Sequence, residues 1–122
     1  MKDFRELEVW KEGRKFRNVV LAISKKFPSE EKYKLTDQII RSSRSINANI
    51  AEGYGRYHFQ ENIQFCRQAR GSLTETLDHL VTALVCEYVL EKQFNELEEQ
   101  YDLILKLLNG YISYLKKRKN EE

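Results

Sequence analysis

Residues 94–115 read FNELEEQYDLILKLLNGYISYL. Phe94, Leu97, Tyr101, Ile104, Leu108, Tyr111 and Leu115 follow one another at alternating spacings of three and four, the repeat of a helix seam packed against other helices. Leu105 and Ile112 widen that seam to the broad apolar face of a bundle helix. A strand would alternate with a period of two, and no such alternation is present. A helix of this kind needs partners with faces of their own.

The rest of the chain supplies three. The periodicity predicts helices over residues 4–26, 30–53, 58–90 and 93–118. The first carries Leu7, Trp10, Phe16, Val20 and Ile23, and Phe27-Pro28 ends it, because a residue before proline avoids the α region. Ser29 is the expected N-cap of the second, which carries Leu35, Ile39, Ile46 and Ile50 and is expected to stop at Gly53, with Gly55 releasing the chain. The third carries Phe59, Ile63, Cys66, Leu73, Leu77, Leu80, Leu84 and Tyr88. An interior glycine costs about 1 kcal/mol against alanine, so Ala69, Gly71 and Ser72 read as a point of close helix approach. Short connections between long helices make neighbours antiparallel. The expected fold is all-α: one up-down-up-down four-helix bundle spanning residues 1–122.

Bulk charge excludes little. The formal net charge is +2, from 21 Lys+Arg against 19 Asp+Glu, too even to mark a polyanion binder, so a basic surface must come from local arrangement. No apolar run approaches the roughly 18 residues of a membrane span, and the N-terminal stretch has no secretory h-region. A cytoplasmic protein with no membrane partner is expected. Cys66 and Cys86 fall about 30 Å apart along one helix, too far to pair, and are expected to be reduced residues of the core.

Residues 45–56, SINANIAEGYGR, interrupt the pattern with two asparagines and a glutamate. A catalytic or ligand-binding reading of Asn49 and Glu52 lacks a nucleophile or second acid. The favoured reading is a satisfied polar network of Ser45, Asn49 and Glu52, with Arg41 or Arg56 as counter-charge. The small residues Ser42, Ser43, Ala48 and Ala51, together with Val9, Trp10 and Val19 on the first helix, leave more apolar and small surface than one bundle uses. That excess predicts a subunit interface, and cyclic symmetry closes a head-to-tail interface into a ring-like homo-oligomer.

Three runs in order, FRELEVWKEGRKF (4–16), LTDQIIRSSRSINANIAEGYGR (35–56) and FCRQARGSLTETLDHL (65–80), resemble the 23S ribosomal-RNA intervening-sequence proteins, a bacterial family of four-helix bundles. The resemblance implies a barrel-shaped homopentamer with no enzymatic activity. It also implies kinship with the accessory variability determinant of diversity-generating retroelements, which binds a reverse transcriptase and nucleic acid through a basic surface. Ile46 and Asn47 stand where the family pattern has an Ile-Pro type pair, so a more regular helix is expected there.

Chemistry of other kinds finds no support in the residues. One Glu75–His79 pair and a solitary His58 fall short of a di-iron bundle, and there is no CxxC or HExxH, so no metal, cofactor or catalytic residue is assigned. The candidate nucleic-acid-binding residues are basic: Arg41 with Arg44, Arg67 with Arg70, Arg56 beside Tyr54, Tyr57 and His58, and the run Lys116, Lys117, Arg118 and Lys119. Lys11, Arg14 and Lys15 share a face of the first helix. For any single pair a solvated surface balanced by glutamates is the better reading; repetition around a ring would merge such patches into one positive surface suited to phosphates. The aromatics near Arg56 suit stacking on unpaired bases or interface packing, and interface packing is the favoured reading. The expected function is therefore non-enzymatic: an oligomer that binds RNA or a ribonucleoprotein. The alternative is a protein-interaction scaffold, such as an accessory partner of a reverse transcriptase.

Overall fold

The computed structural model describes residues 1–121. It contains four helices, α1 (Glu8–Ser24), α2 (Leu35–Gly55), α3 (Phe59–Val85) and α4 (Glu91–Asn120), and no strand among the described residues. Each helix packs on the next and α4 returns to α1, while the diagonal pairs make no close backbone approach. Partners across helices run in opposite senses. Ser42 and Ser45 of α2 meet Thr76 and Ser72 of α3, and Asn62 and Arg70 of α3 meet Tyr111 and Asn109 of α4. The core lies on the axis, where Phe16, Ile39, Ile46, Ile50, Leu73, Leu80, Ile104 and Leu108 are fully buried. Among the described residues no helix is long and apolar enough to cross a membrane.

The ends of the helices depart from the periodic expectation. α1 begins at Glu8 rather than residue 4, because Phe4–Glu6 form a separate 3-10 turn. Asp3 caps that turn by accepting from the Arg5 N–H, and Leu7 then runs extended to reach the core. α2 begins at Leu35, so Ser29 caps no α-helix; Ser29–Glu31 is another 3-10 turn, and Lys34 (φ −122°, ψ −108°) leaves helical geometry. No apolar residue between Pro28 and Lys34 is buried, so nothing favours continuing the helix backward. The Tyr88 hydroxyl donates to Glu31 across this end of the bundle at 2.9 Å, which pushes its pKa up to about 12.

Neither α2 nor α3 takes its left-handed stop from a glycine. α2 runs through Gly53 to Gly55, and the left-handed residue beyond it is Tyr57, φ 54°. α3 stops at Val85 because Glu87, φ 62°, closes a Schellman motif, with Tyr88 N donating to Ala83 O and Glu87 N to Leu84 O. The glycines have other roles. A Cβ at Gly53 would lie 2.7 Å from Asn62 Oδ1 and 2.8 Å from Phe65 Cβ, so here α2 and α3 pack backbone to side chain. Gly13 plays the same part between α1 and α2, where a Cβ would collide with the Asn47 amide. Gly71, expected at a close approach, faces open space, and Ala69 alone of that trio is fully buried.

Small polar residues close the α2–α3 contact. Ser42 Oγ and Thr76 Oγ1 lie 2.8 Å apart, Ser72 Oγ donates to Ser45 Oγ at 3.0 Å, and Thr76 Oγ1 also donates to Ser72 O. Ser42 and Ser43, expected as surplus surface, are thus buried within the chain, as is Val9. α2 is continuous through Ile46 and Asn47.

The cysteines separate by environment. Cys66 is buried, and desolvation pushes its thiol up to about 12; Cys86 caps the end of α3 and is exposed, against expectation.

Gly13→Ala and Gly53→Ala are expected to lower stability by about 1–3 kcal/mol through overpacking, despite alanine's better helix propensity. Gly71→Ala and Gly110→Ala, at helical sites with open space, are expected to raise it by about 0.5–1 kcal/mol; thermal or urea unfolding of the four variants measures the opposite signs. In native protein near neutral pH a thiol reagent should modify Cys86 alone, with Cys66 reacting only after unfolding, as mass spectrometry will report.

Candidate nucleic-acid interface

The basic residues fall into several settings. Arg67 of α3 and Lys116 and Lys119 of α4 line one groove of about 260 Å³ with Gln60, Ile63 and Asn120. No carboxylate lines this groove, and none of the three cations forms an ion pair among the described residues. Lys119 Nζ donates to Gln60 Oε1, which holds the last turn of α4 against the start of α3. Arg70, one turn beyond Arg67, reaches the α4 side of the same face through a 2.8 Å bond from Nη1 to Asn109 Oδ1. Lys117 is exposed. Arg118 turns toward the other side of α4, 5.8 Å above the Phe59 ring and 3.8 Å from Glu121.

Arg41 and Arg44 do not act as one patch. Arg41 lines a small groove between α2 and α3 with Glu75 and lies 3.6 Å from Asp37, whereas Arg44 faces the α1–α2 groove with Arg17. A three-residue step turns a helix by about 300°, so such residues flank a ridge and can serve different neighbours. On α1, Lys11 and Lys15 are paired with Glu8 and Glu12, and Arg14 stacks over Trp10 at 5.3 Å. Arg56 stands 4.9 Å over the Phe65 ring and 3.8 Å from Glu52.

The polar insertion resolves into two parts. Asn49 Nδ2 donates to Ser45 O and Ser45 Oγ, and Ser45 Oγ accepts from Ser72, a closed set between α2 and α3. Glu52 stands outside it, about half exposed and facing only Arg56 one turn on. The residue that is buried is Asn47, whose Nδ2 donates to the Trp10 carbonyl at 2.9 Å while Oδ1 presses on Gly13 without a hydrogen-bond donor. The paired signal is legible in the sequence: a glycine inside α1 and an asparagine on the edge of the α2 apolar stripe.

At the end of the bundle where α2 passes to α3, a cavity of about 540 Å³ opens among Tyr54, Tyr57, His58, Phe59, Tyr111 and Tyr114. Two ring pairs meet there: Tyr54 with Tyr57 at 6.2 Å, and Tyr111 with Tyr114 at 6.3 Å, nearly parallel. Asn62 and Tyr111 in its wall are joined by a bond from Asn62 Nδ2 to the Tyr111 hydroxyl, and Cys66 Sγ donates to Asn62 Oδ1 from the core behind. Burial raises the pKa of Tyr111, which stays a neutral phenol at physiological pH. Periodicity places Tyr111 only in the α4 seam and leaves Tyr114 outside it. Their spacing, with Phe59 opposite on an antiparallel neighbour, is the signal that could have found the cavity. Among the described residues no group of three or more His, Cys, Asp or Glu is placed to hold a metal ion.

Comparison with known proteins agrees with this architecture. No curated protein matches the chain. A crystal structure at 1.70 Å of a protein with unknown function from the S23 ribosomal protein family of Bacteroides thetaiotaomicron VPI-5482 is 26% identical and superposes with a TM-score of 0.79, over 86% of this chain and 95% of that one. The family described as 23S rRNA-intervening sequence protein matches residues 5–110, the span of α1 to α3 and two thirds of α4, and the chain belongs to that family.

Proposed function

We propose that the protein is a non-enzymatic, cytoplasmic RNA-binding protein that works as a ring-shaped homo-oligomer. The observation that carries the RNA reading is the groove of Arg67, Lys116 and Lys119, with Arg70 on the same face: cations from two helices, amide neighbours, and no carboxylate among the described residues of its walls. Phosphate backbones are bound by such local concentrations of charge, whatever the net charge of the chain. Gln60 and Asn120 add amide groups able to bond phosphate or ribose oxygens.

The oligomer reading rests on the α1–α2 groove, about 580 Å³, where Phe4, Trp10, Leu21, Ile40, Ala48 and Ala51 leave an apolar floor between Arg17 and Arg44. A second copy covering this face would bury it, and a head-to-tail contact closes with cyclic symmetry. The family resemblance favours five copies. If the groove instead takes a different protein, the role is that of an interaction scaffold.

Fluorescence anisotropy with structured RNA across a salt series tests the first reading. Wild-type protein should bind. In Arg67→Gln/Lys116→Gln/Lys119→Gln the slope of log affinity against log salt should fall by about one for each phosphate that is no longer neutralised. No binding at low salt, or an unchanged slope, overturns it. Light scattering tests the second: the wild type should be an oligomer at micromolar concentration, and Ala48→Glu should dissociate it without loss of helix. A monomeric wild type overturns the ring.

A further inference from the structure

We infer that the aromatic cavity at the α2–α3 end of the bundle is a stacking site for an unpaired base of single-stranded RNA. The inference rests on the RNA-binding reading and extends it to the chemistry of the bound strand.

The cavity is built unlike a core defect. Its walls are the two ring pairs, Tyr54 with Tyr57 and Tyr111 with Tyr114, completed by Phe59 and His58. A volume of about 540 Å³ lies within the range of small-molecule sites, roughly 300–1,000 Å³. Single exposed aromatics are ordinary on protein surfaces, but Tyr57, 88% exposed, and Tyr114, 52% exposed, stand on one opening. Tyr57, at φ 54°, holds a conformation disfavoured for a bulky side chain just beyond the end of α2. The hydroxyls of Tyr54, Tyr57 and Tyr114 have no hydrogen-bond partner among the described residues and remain open to the polar edge of a ligand.

What the ligand must be follows from the neighbourhood. The cavity and the basic groove share one end of the bundle without sharing a wall: Phe59 and Leu115 line the cavity, and their sequence neighbours Gln60 and Lys116, turned about 100° around each helix, line the groove. Arg118 lies over Phe59, a wall of the cavity, and Arg56 directly precedes Tyr57, each also facing a carboxylate at 3.8 Å. A planar, neutral π-face carried on an anionic chain suits aromatic walls with cations beside them, and a base on its own sugar-phosphate backbone is such a group. A base inside a duplex is excluded, since its faces are already stacked. Every base presents a π-face, so the site should be tolerant of sequence.

The test uses full-length protein and three probes: an oligoadenylate carrying a fluorescent adenine analogue, an abasic strand of equal length, and duplex RNA. Wild-type protein should quench the analogue on binding and prefer the base-bearing strand to the abasic one. Tyr57→Ala/Tyr114→Ala, at two exposed positions, should weaken oligoadenylate binding by about 5- to 150-fold while duplex binding, helicity and oligomer size stay as in wild type. Tyr57→Phe/Tyr114→Phe should keep the quenching, since the ring is the stacking surface. Unchanged analogue fluorescence and equal affinity for the abasic strand, with duplex still bound, would overturn the stacking site and leave the RNA reading standing. Failure to bind any of the three probes would overturn the RNA reading and the site with it. If the alanine variant changes oligomer size instead of affinity, the cavity is a contact between copies and the inference falls.

Discussion

Two buried asparagines, each seated on a glycine of a neighbouring helix, set how this bundle fits together. Asn47 of α2 presses on Gly13 of α1, and Asn62 of α3 presses on Gly53 of α2. Each amide occupies the space a Cβ would fill and is tied down by a hydrogen bond from Nδ2, to the Trp10 carbonyl and the Tyr111 hydroxyl respectively. Sliding either helix by a turn would set the amide against a side chain and strand its polar atoms, at a cost of about 1–3 kcal/mol per group. α2 takes part in both seats, so its register is held from two sides. Asn47 Oδ1 lacks a donor, so this seat holds position more by shape than by energy.

The bundle is legible in the sequence because burial follows periodicity. Ile104 and Leu108 of α4, and Leu73 and Leu80 of α3, lie in the core as their spacing requires; Leu77, at the edge of its stripe, is only partly covered. The helix ends are not, for a specific reason. Glycine is the usual mark of a left-handed stop, yet here Tyr57 and Glu87 take that conformation while Gly53 sits inside α2. Gly13 and Gly53 record close packing, and close packing depends on a partner that a single helix does not display. The same limit draws attention to Glu52, which is exposed, and to Asn49, half-buried between α2 and α3, and away from Asn47.

The candidate site is legible only by residue type. Arg67 and Lys116 are both visible as basic residues, but their meeting depends on the antiparallel pairing of α3 and α4. Arg41 and Arg44, close in sequence, serve separate grooves, and Arg41 and Arg56 have carboxylates within 4 Å. Local charge depends on which helix lies opposite, and that information sits at long range in the chain. The aromatic cavity shows the same thing: its rings come from the end of α2, the start of α3 and the last third of α4.

The order of helices around the bundle has a kinetic side. Three of its four helix interfaces join neighbours in sequence; the fourth, α1 against α4, joins helices at opposite ends of the chain and still leaves a groove of about 620 Å³ between Val19, Ile23, Glu96 and Gln100. Hairpins of adjacent helices close short loops and form early, whereas the α1–α4 seam must wait for a long one. The α2–α3 pair, with its hydroxyl contacts and the Asn62–Gly53 seat, is the expected nucleus, onto which α1 and α4 condense from either side. The same asymmetry governs opening, so amide exchange should travel inward from the α1–α4 seam and reach the middle of the α2–α3 contact last.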